Sequence, residues 1–356
     1  MLIRMSTQRF FRHKRKRYCL PKFLQNMTPN RTILLTRNDV RKLLAFKEYF
    51  DIVENAFRLH AEGKALKPSL MHVDCKKGEF HIKAGGLELD KEYFGLKVNG
   101  GFFQNMERYG MPNIQGVILL CDGETGFPLA IMESTEITVN RTAAAAAVAA
   151  KYLARPDSSS VTICGCGTQG RAQLRAMTTV LPIEKAYAFA RDGANAQTFA
   201  KEMSTALGIG VVPISDLNAV RNETDVYVTC TPSRHPYLHA GSVAPGTFIA
   251  AMGADSPEKQ ELDVELLKGN KVVVDILEQC ARVGELHHAL DQGMSKEAVH
   301  GELGEIITGT KAGRTSEAEI TIFDATGTAL QDVAVAVTLY ERAIRLSAGS
   351  AIVLFR

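Results

Sequence analysis

From residue 160 to about 275, short apolar runs rich in β-branched residues alternate with amphipathic stretches. Residues 161–164, 185–190, 210–214, 225–230, 247–252 and 271–274 read as strands, and 169–181, 194–207 and 216–222 as helices. Strands apolar on both faces with helices between them predict a parallel, doubly wound sheet. The pattern before residue 138 differs. A strand within 27–36 leads to a helix capped by Asn38 or Asp39, and a second helix covers 49–61. Residues 74–98 alternate apolar and polar as strands do, with turns placed at Lys77-Gly78 and Gly85-Gly86. Residues 117–121 and 129–132 form a hairpin around Asp122-Gly123. This portion predicts a mainly antiparallel sheet with helices. An alanine-rich helix over 138–154 joins the two parts, its small residues permitting close packing, and Arg155-Pro156 ends it. A last strand at 320–323 and a helix at 329–345 are expected to return to the first domain.

The fold class expected is therefore α/β: a Rossmann-type doubly wound domain over 141–314, linking helix included, and a mixed α+β domain over 27–140 for substrate binding and dimerisation, joined by 315–350. At the head of the parallel sheet stands Gly165-Cys166-Gly167-Thr168-Gln169-Gly170, between a strand and a helix. Gly165 allows the tight turn, Gly167 lets the backbone approach a pyrophosphate, and Gly170 lets helix and strand pack closely. The helix N-terminus offers free N–H groups to phosphates. An NAD or NADP site follows. The second strand ends Phe189-Ala190-Arg191-Asp192, without the acid that an NAD-selective site sets on the ribose hydroxyls, and Arg191 is placed to meet a 2′-phosphate.

Charge changes the picture only at the start. The formal net charge is +3, but residues 1–26 carry eight basic side chains and no acid, so the remainder is mildly acidic and nothing points to nucleic acid. We read 1–26 as a basic leader, disordered or a targeting segment, ahead of a second start at Met27. Seven scattered cysteines form no CxxC and no Cys/His cluster with metal spacing, so reduced thiols in a cytoplasmic setting and no metal are expected. No apolar run reaches membrane-spanning length.

In an open parallel sheet, ligands lie outside the carboxyl ends of the strands. Asp255, after the fifth strand in Met252-Gly253-Ala254-Asp255-Ser256-Pro257, sits on that face, though Asp-Ser-Pro is also a common turn. Thr231, after the fourth strand, is placed likewise. Lys67, Lys97 and Arg141 of the first part together offer a clamp for a carboxylate.

These residues carry a resemblance. Lys97-Val98-Asn99-Gly100, Arg141-Thr142-Ala143-Ala144, Ala154-Arg155-Pro156, the glycine loop, Met252-Gly253-Ala254-Asp255 and Ile322-Phe323-Asp324 resemble the ornithine cyclodeaminase/mu-crystallin family, from about residue 33 to 345. The resemblance implies a dimer built through the first domain, with the Rossmann domains outermost. It implies Lys67, Lys97 and Arg141 on the substrate carboxylate, with Arg141 reaching the cofactor too, and Asp255 as catalytic aspartate. Thr168 and Gln169 fall in the phosphate loop, and Thr231, Met252 and Lys259 at further cofactor contacts. Two departures stand out: Lys67 replaces an arginine, and His81 occupies the place of a glutamate that positions ornithine, with Glu79 nearby. The expected function is hydride transfer at the Cα of a small amino or imino acid, foremost conversion of ornithine to proline and ammonia. The alternatives are a ketimine reductase or alanine-dehydrogenase-like enzyme and, in another class, a dinucleotide-binding protein without turnover. Retention of Lys97, Arg141 and Asp255 together speaks against the last.

Overall fold

The computed structural model describes residues 31–355; the leader read at 1–26 lies outside them. The chain begins β1 (Thr32–Leu35), α1 (Arg37–Leu43), α2 (Phe46–Ala61), β2 (Ala65–Cys75), β3 (Gly78–Glu88), β4 (Glu92–Gly101), α3 (Asn105–Tyr109), β5 (Ile114–Asp122), β6 (Pro128–Glu133) and α4 (Ser134–Leu153). It continues through β7 (Ser160–Cys164), α5 (Thr168–Val180), β8 (Lys185–Phe189), α6 (Gly193–Leu207), β9 (Gly210–Ile214), β10 (Val226–Thr229), β11 (Phe248–Ala251), α7 (Val264–Lys268) and β12 (Lys271–Val274). The last elements are α8 (Leu277–Val283), α9 (Glu285–Asp291), β13 (Gly301–Glu302), α10 (Leu303–Thr308), β14 (Thr321–Asp324), α11 (Ala329–Leu346) and β15 (Ser350–Ile352).

Two sheets result. The first, ordered β15-β1-β6-β5-β4-β3-β2, is antiparallel except where β1 runs parallel to β6. The second, ordered β13-β12-β14-β11-β10-β7-β8-β9, is parallel throughout. Strand order reverses between β7 and β10, and that crevice is where a doubly wound sheet takes a dinucleotide.

Four sequence expectations are corrected. Residues 321–324 do not return to the first domain: β14 lies fully buried between β11 and β12 and completes the parallel sheet. α11 crosses back, packing on β3 and β4, and β15 after it pairs with β1. Gly85-Gly86 is no turn but part of β3, where glycine is needed for close approach. A Cβ on Gly85 would lie 3.1 Å from the Ala329 Cβ of α11, and one on Gly86 would lie 2.4 Å from the Tyr93 carbonyl. The cap of α1 is Thr36, its hydroxyl accepting from the Asp39 N–H while Asp39 accepts from the Thr36 N–H. The expected helix at 216–222 is a short 3-10 turn, Asn218–Glu223.

α4 joins the halves through its small residues. Ala143 and Ala147 pack against Ala172 and Ala176 of α5, so two pairs at four-residue spacing make the seam. Among the described residues, no helix is long and apolar enough to cross a membrane.

Candidate active site

The end of β7 turns sharply at Gly165, whose φ of +114° favours glycine. A Cβ on Gly170 would fall 2.0 Å from the Gly165 carbonyl oxygen, so helix and strand touch as that motif requires. α5 opens with Thr168 and Gln169, and among the described residues no side chain caps its N-terminus. Beside Gly167 there is open space, and the Gln169 side-chain amide nitrogen is buried without a hydrogen-bond partner. Arg171 braces the loop from behind, donating to the carbonyls of Cys166 at 2.6 Å and Gly167 at 3.2 Å and to Glu202. Free N–H groups, an orphaned amide and room above a glycine fit the phosphates of a dinucleotide.

At the β8 end, Asp192 caps α6 by accepting from the Ala194 N–H at 3.0 Å. It is thereby committed to the helix, and exposed Arg191 is the charged group left beside Ala190. Thr231 is held rather than free: its N–H and hydroxyl both donate to Glu261 Oε1 at 2.6 Å, and the Tyr237 hydroxyl donates to the same oxygen at 2.7 Å. Glu261 is wholly buried, and that burial raises its pKa against the hydrogen bonds that favour the anion. Met252, just after β11, donates its N–H to the Thr229 carbonyl at 2.8 Å, which ties the two loops together.

Asp255 follows in the same loop. Lys259, expected at the cofactor, donates to Asp255 Oδ1 at 2.6 Å. Burial works to raise the Asp255 pKa, but Lys259, Lys83 and His81 outweigh it and hold the carboxylate well below its ordinary range. Lys259 in turn is raised, Asp255 overcoming the effect of its own burial. The carboxylate is therefore an anion at any working pH.

Facing it from the first sheet is a group of buried cations that the sequence reading held only in part. β3 and β4 pair with Lys83 directly opposite Lys97, and His81 opposite Asn99, on one face. Lys83, Lys97, Arg141 and Asp332 of α11 are all at most 4% exposed. Lys97 Nζ lies 2.6 Å and Arg141 Nε 3.0 Å from Asp332, and Arg141 Nη1 donates to Gln331 at 3.1 Å. Lys83 Nζ donates to the carbonyls of Thr326 at 2.7 Å and Gly327 at 2.9 Å. That loop is fixed by Asp275, which accepts from the Gly327 N–H at 2.7 Å. Lys97 and Arg141 thus share one carboxylate, Asp332, while Lys83 feels it only electrostatically, along with Asp255 and Asp275. Asp332 is lowered despite its burial, because Arg141 and Lys97 both face it. Lys97 is pushed down to about 7 by burial and by the charges of Arg141 and Lys83. The excess positive charge suits an anionic ligand.

Lys67 does not join this group. It is 78% exposed and pairs with Glu278 at 2.9 Å. The reason is local: the β2–β3 register shifts between Leu66 and Ser69, and Lys67-Pro68 lies in that irregularity. Lys83 and Asp332 are the residues the sequence reading missed. The available signal was strand alternation, which sets Lys83 on the face of His81, and a Gln-Asp pair within the apolar run of α11.

The family model for the ornithine cyclodeaminase/mu-crystallin family matches residues 30–346. An alanine dehydrogenase of Archaeoglobus fulgidus is 42% identical over 91% of this chain and 99% of its own. A solved archaeal alanine dehydrogenase dimer with bound NAD superposes with a TM-score of 0.86 at 43% identity, covering 91% of this chain and all of that one. Δ(1)-pyrroline-2-carboxylate reductase of Thermococcus litoralis, in complex with NADH and L-proline, gives 0.85 at 36% identity over 90% of this chain and 100% of its own. The chain belongs to the ornithine cyclodeaminase/mu-crystallin family.

Proposed function

We propose that this protein is an NAD(P)(H)-dependent oxidoreductase that interconverts a small α-amino acid and its 2-imino acid. The observation that carries the reading is the opposition of Asp255, at the carboxyl end of β11, to the buried Lys83–Lys97–Arg141 group of the first domain. A zwitterionic substrate fits between them, its carboxylate toward the cations and its nitrogen toward Asp255. The nicotinamide, when bound, supplies or accepts the hydride at Cα. In the reductive direction Asp255 keeps the imine nitrogen protonated and oriented, a role that its low pKa suits better than free exchange of protons. In the oxidative direction the α-amine first gives up a proton to solvent, so that its lone pair can form the C=N bond. Lys83 and Lys97 hold the carboxylate in register with the ring.

The ornithine reading is the weaker one. The far amine of a diamine needs an anion, and Glu79 stands in that neighbourhood. Its Oε1 lies 3.0 Å from His81 and its Oε2 3.5 Å from His72, so both oxygens are engaged. The relatives named above are a dehydrogenase and a reductase, which favours the same direction. The test is a parallel assay. Pyruvate with ammonia, or a cyclic 2-imino acid, is expected to consume NAD(P)H, and ornithine is expected to release no ammonia. Ammonia release from ornithine with flat nicotinamide absorbance would reverse the assignment.

We read the cofactor preference as NADP(H), on Ala190 and the exposed Arg191 beside it. Arg191→Ala is expected to weaken NADPH binding by roughly tenfold or more, as for a charge-assisted hydrogen bond, and to leave NADH unchanged. Equal affinities for both cofactors, unaltered by the substitution, would place Arg191 in solvent; a fluorescence titration with each cofactor decides. For the dimer expected through the first domain, exposed Met71, Val73 and Val117 share one face of the sheet by register and offer apolar surface.

A further inference from the structure

At the free end of the β2–β3 hairpin, register brings four side chains together on one face. His72 is directly opposite His81, and Asp74 directly opposite Glu79, so each strand contributes one imidazole and one carboxylate. The donor atoms of His72, Glu79 and His81 all lie within 4.8 Å of one another. His81 Nε2 is 3.0 Å from Glu79 Oε1, and His72 Nε2 is 3.5 Å from Glu79 Oε2. Asp74 Oδ1 lies 3.0 Å from His72 Nε2. The two rings stand edge to face with centroids 4.6 Å apart, which turns both Nε2 atoms toward the same carboxylate.

We propose that His72, Glu79 and His81, with Asp74 as a further oxygen donor, form a binding site for a divalent transition-metal ion of the zinc type. Bonds of about 2.0–2.1 Å in a tetrahedral site separate neighbouring donors by roughly 3.4 Å, close to the spacings seen. Two carboxylates directly opposite each other on a sheet repel unless a cation lies between them. Two imidazoles in the set select zinc, cobalt or nickel over calcium or magnesium. Spacing rules built on CxxC or helical His pairs miss the site because its ligands meet across a turn.

The site lies at the rim of the cleft. His81 acts electrostatically on Asp255, and Glu79 on Lys259. It does not depend on the reaction assigned above, so either reading can fail without the other.

The experiment titrates Co²⁺ and Zn²⁺ into the full chain carrying no histidine tag. One Co²⁺ per chain is expected, with visible d–d bands and without the near-ultraviolet thiolate band that ligation by exposed neighbouring Cys75 would give. His72→Ala and Glu79→Gln, on different strands, should each weaken binding by at least about tenfold. Thermal melts of both variants separate loss of a ligand from loss of the fold. No binding at millimolar metal, a thiolate band, or binding unchanged in both variants would overturn the proposal.

Discussion

Asp255→Asn is expected to bind cofactor normally and to lose turnover by roughly 10²–10⁴-fold, the range for a positioned acid–base or electrostatic group. The substitution keeps size and hydrogen-bonding capacity but removes the charge that faces the substrate nitrogen. It also unpairs Lys259, whose ammonium is 2.6 Å from Asp255. The freed ammonium would then repel a protonated amine, which adds to the loss. If Asp255 served only the Asp-Ser-Pro turn, asparagine would replace it with little effect. Steady-state turnover beside a cofactor titration separates the two: near-normal turnover would remove Asp255 from the chemistry. His81, which also acts on Asp255, would then be the place to look.

Lys83→Met is expected to raise KM for the carboxylate substrate by about 10²-fold, near the upper end for a hydrogen bond to a charged group, with cofactor affinity unchanged. Burial drives the Lys83 pKa down, and Arg141 adds to that, while Asp255 and Asp332 oppose it. Methionine of similar shape removes that desolvation cost and also the donor to the Thr326 and Gly327 carbonyls, so the two effects offset and stability should change little. A structural lysine would show the reverse, a lower melting temperature with kinetics intact. The same physics gives a pH dependence. Lys97 is pushed down to about 7, so its charge fades as pH rises through neutrality, and KM for the carboxylate should climb above about pH 7. Folding stability moves the other way. Between about pH 7 and the ordinary lysine range the unfolded chain binds the extra proton, so Lys97 makes stability rise with pH there.

The parallel sheet was legible because its inner strands are buried on both faces and read as unbroken apolar runs, while the mostly exposed edge strand β9 still carries two adjacent valines. Residues 271–274 and 210–214 fall where the reading put them. The glycine loop was legible for a similar reason, since steric demands at Gly165 and Gly170 leave one residue type. What failed was register and return. β14 has the same local pattern as any buried strand, and nothing in Thr321–Asp324 states which sheet it joins. Lys83 lies in a stretch read only as alternating. It becomes a buried cation once pairing sets it opposite Lys97 and α11 lays Asp332 across both. Lys67 was placed by resemblance to a family position, and the shifted register at Lys67-Pro68 turns it outward. Long-range partners thus decided each of the missed residues.

The central claim is hydride transfer at Cα between Asp255 and the buried cations, and isotope transfer tests it most directly. The enzyme is run with NAD(P)H deuterated at the nicotinamide C4 position and a 2-imino acid formed from pyruvate and ammonia, or a cyclic one. The amino acid product is then examined by NMR and mass spectrometry. The account predicts a single deuterium at Cα, in one stereochemical sense, with its rate of appearance collapsing in Asp255→Asn and its KM raised in Lys83→Met. A product without deuterium at Cα, or one formed equally well by both variants, would contradict it.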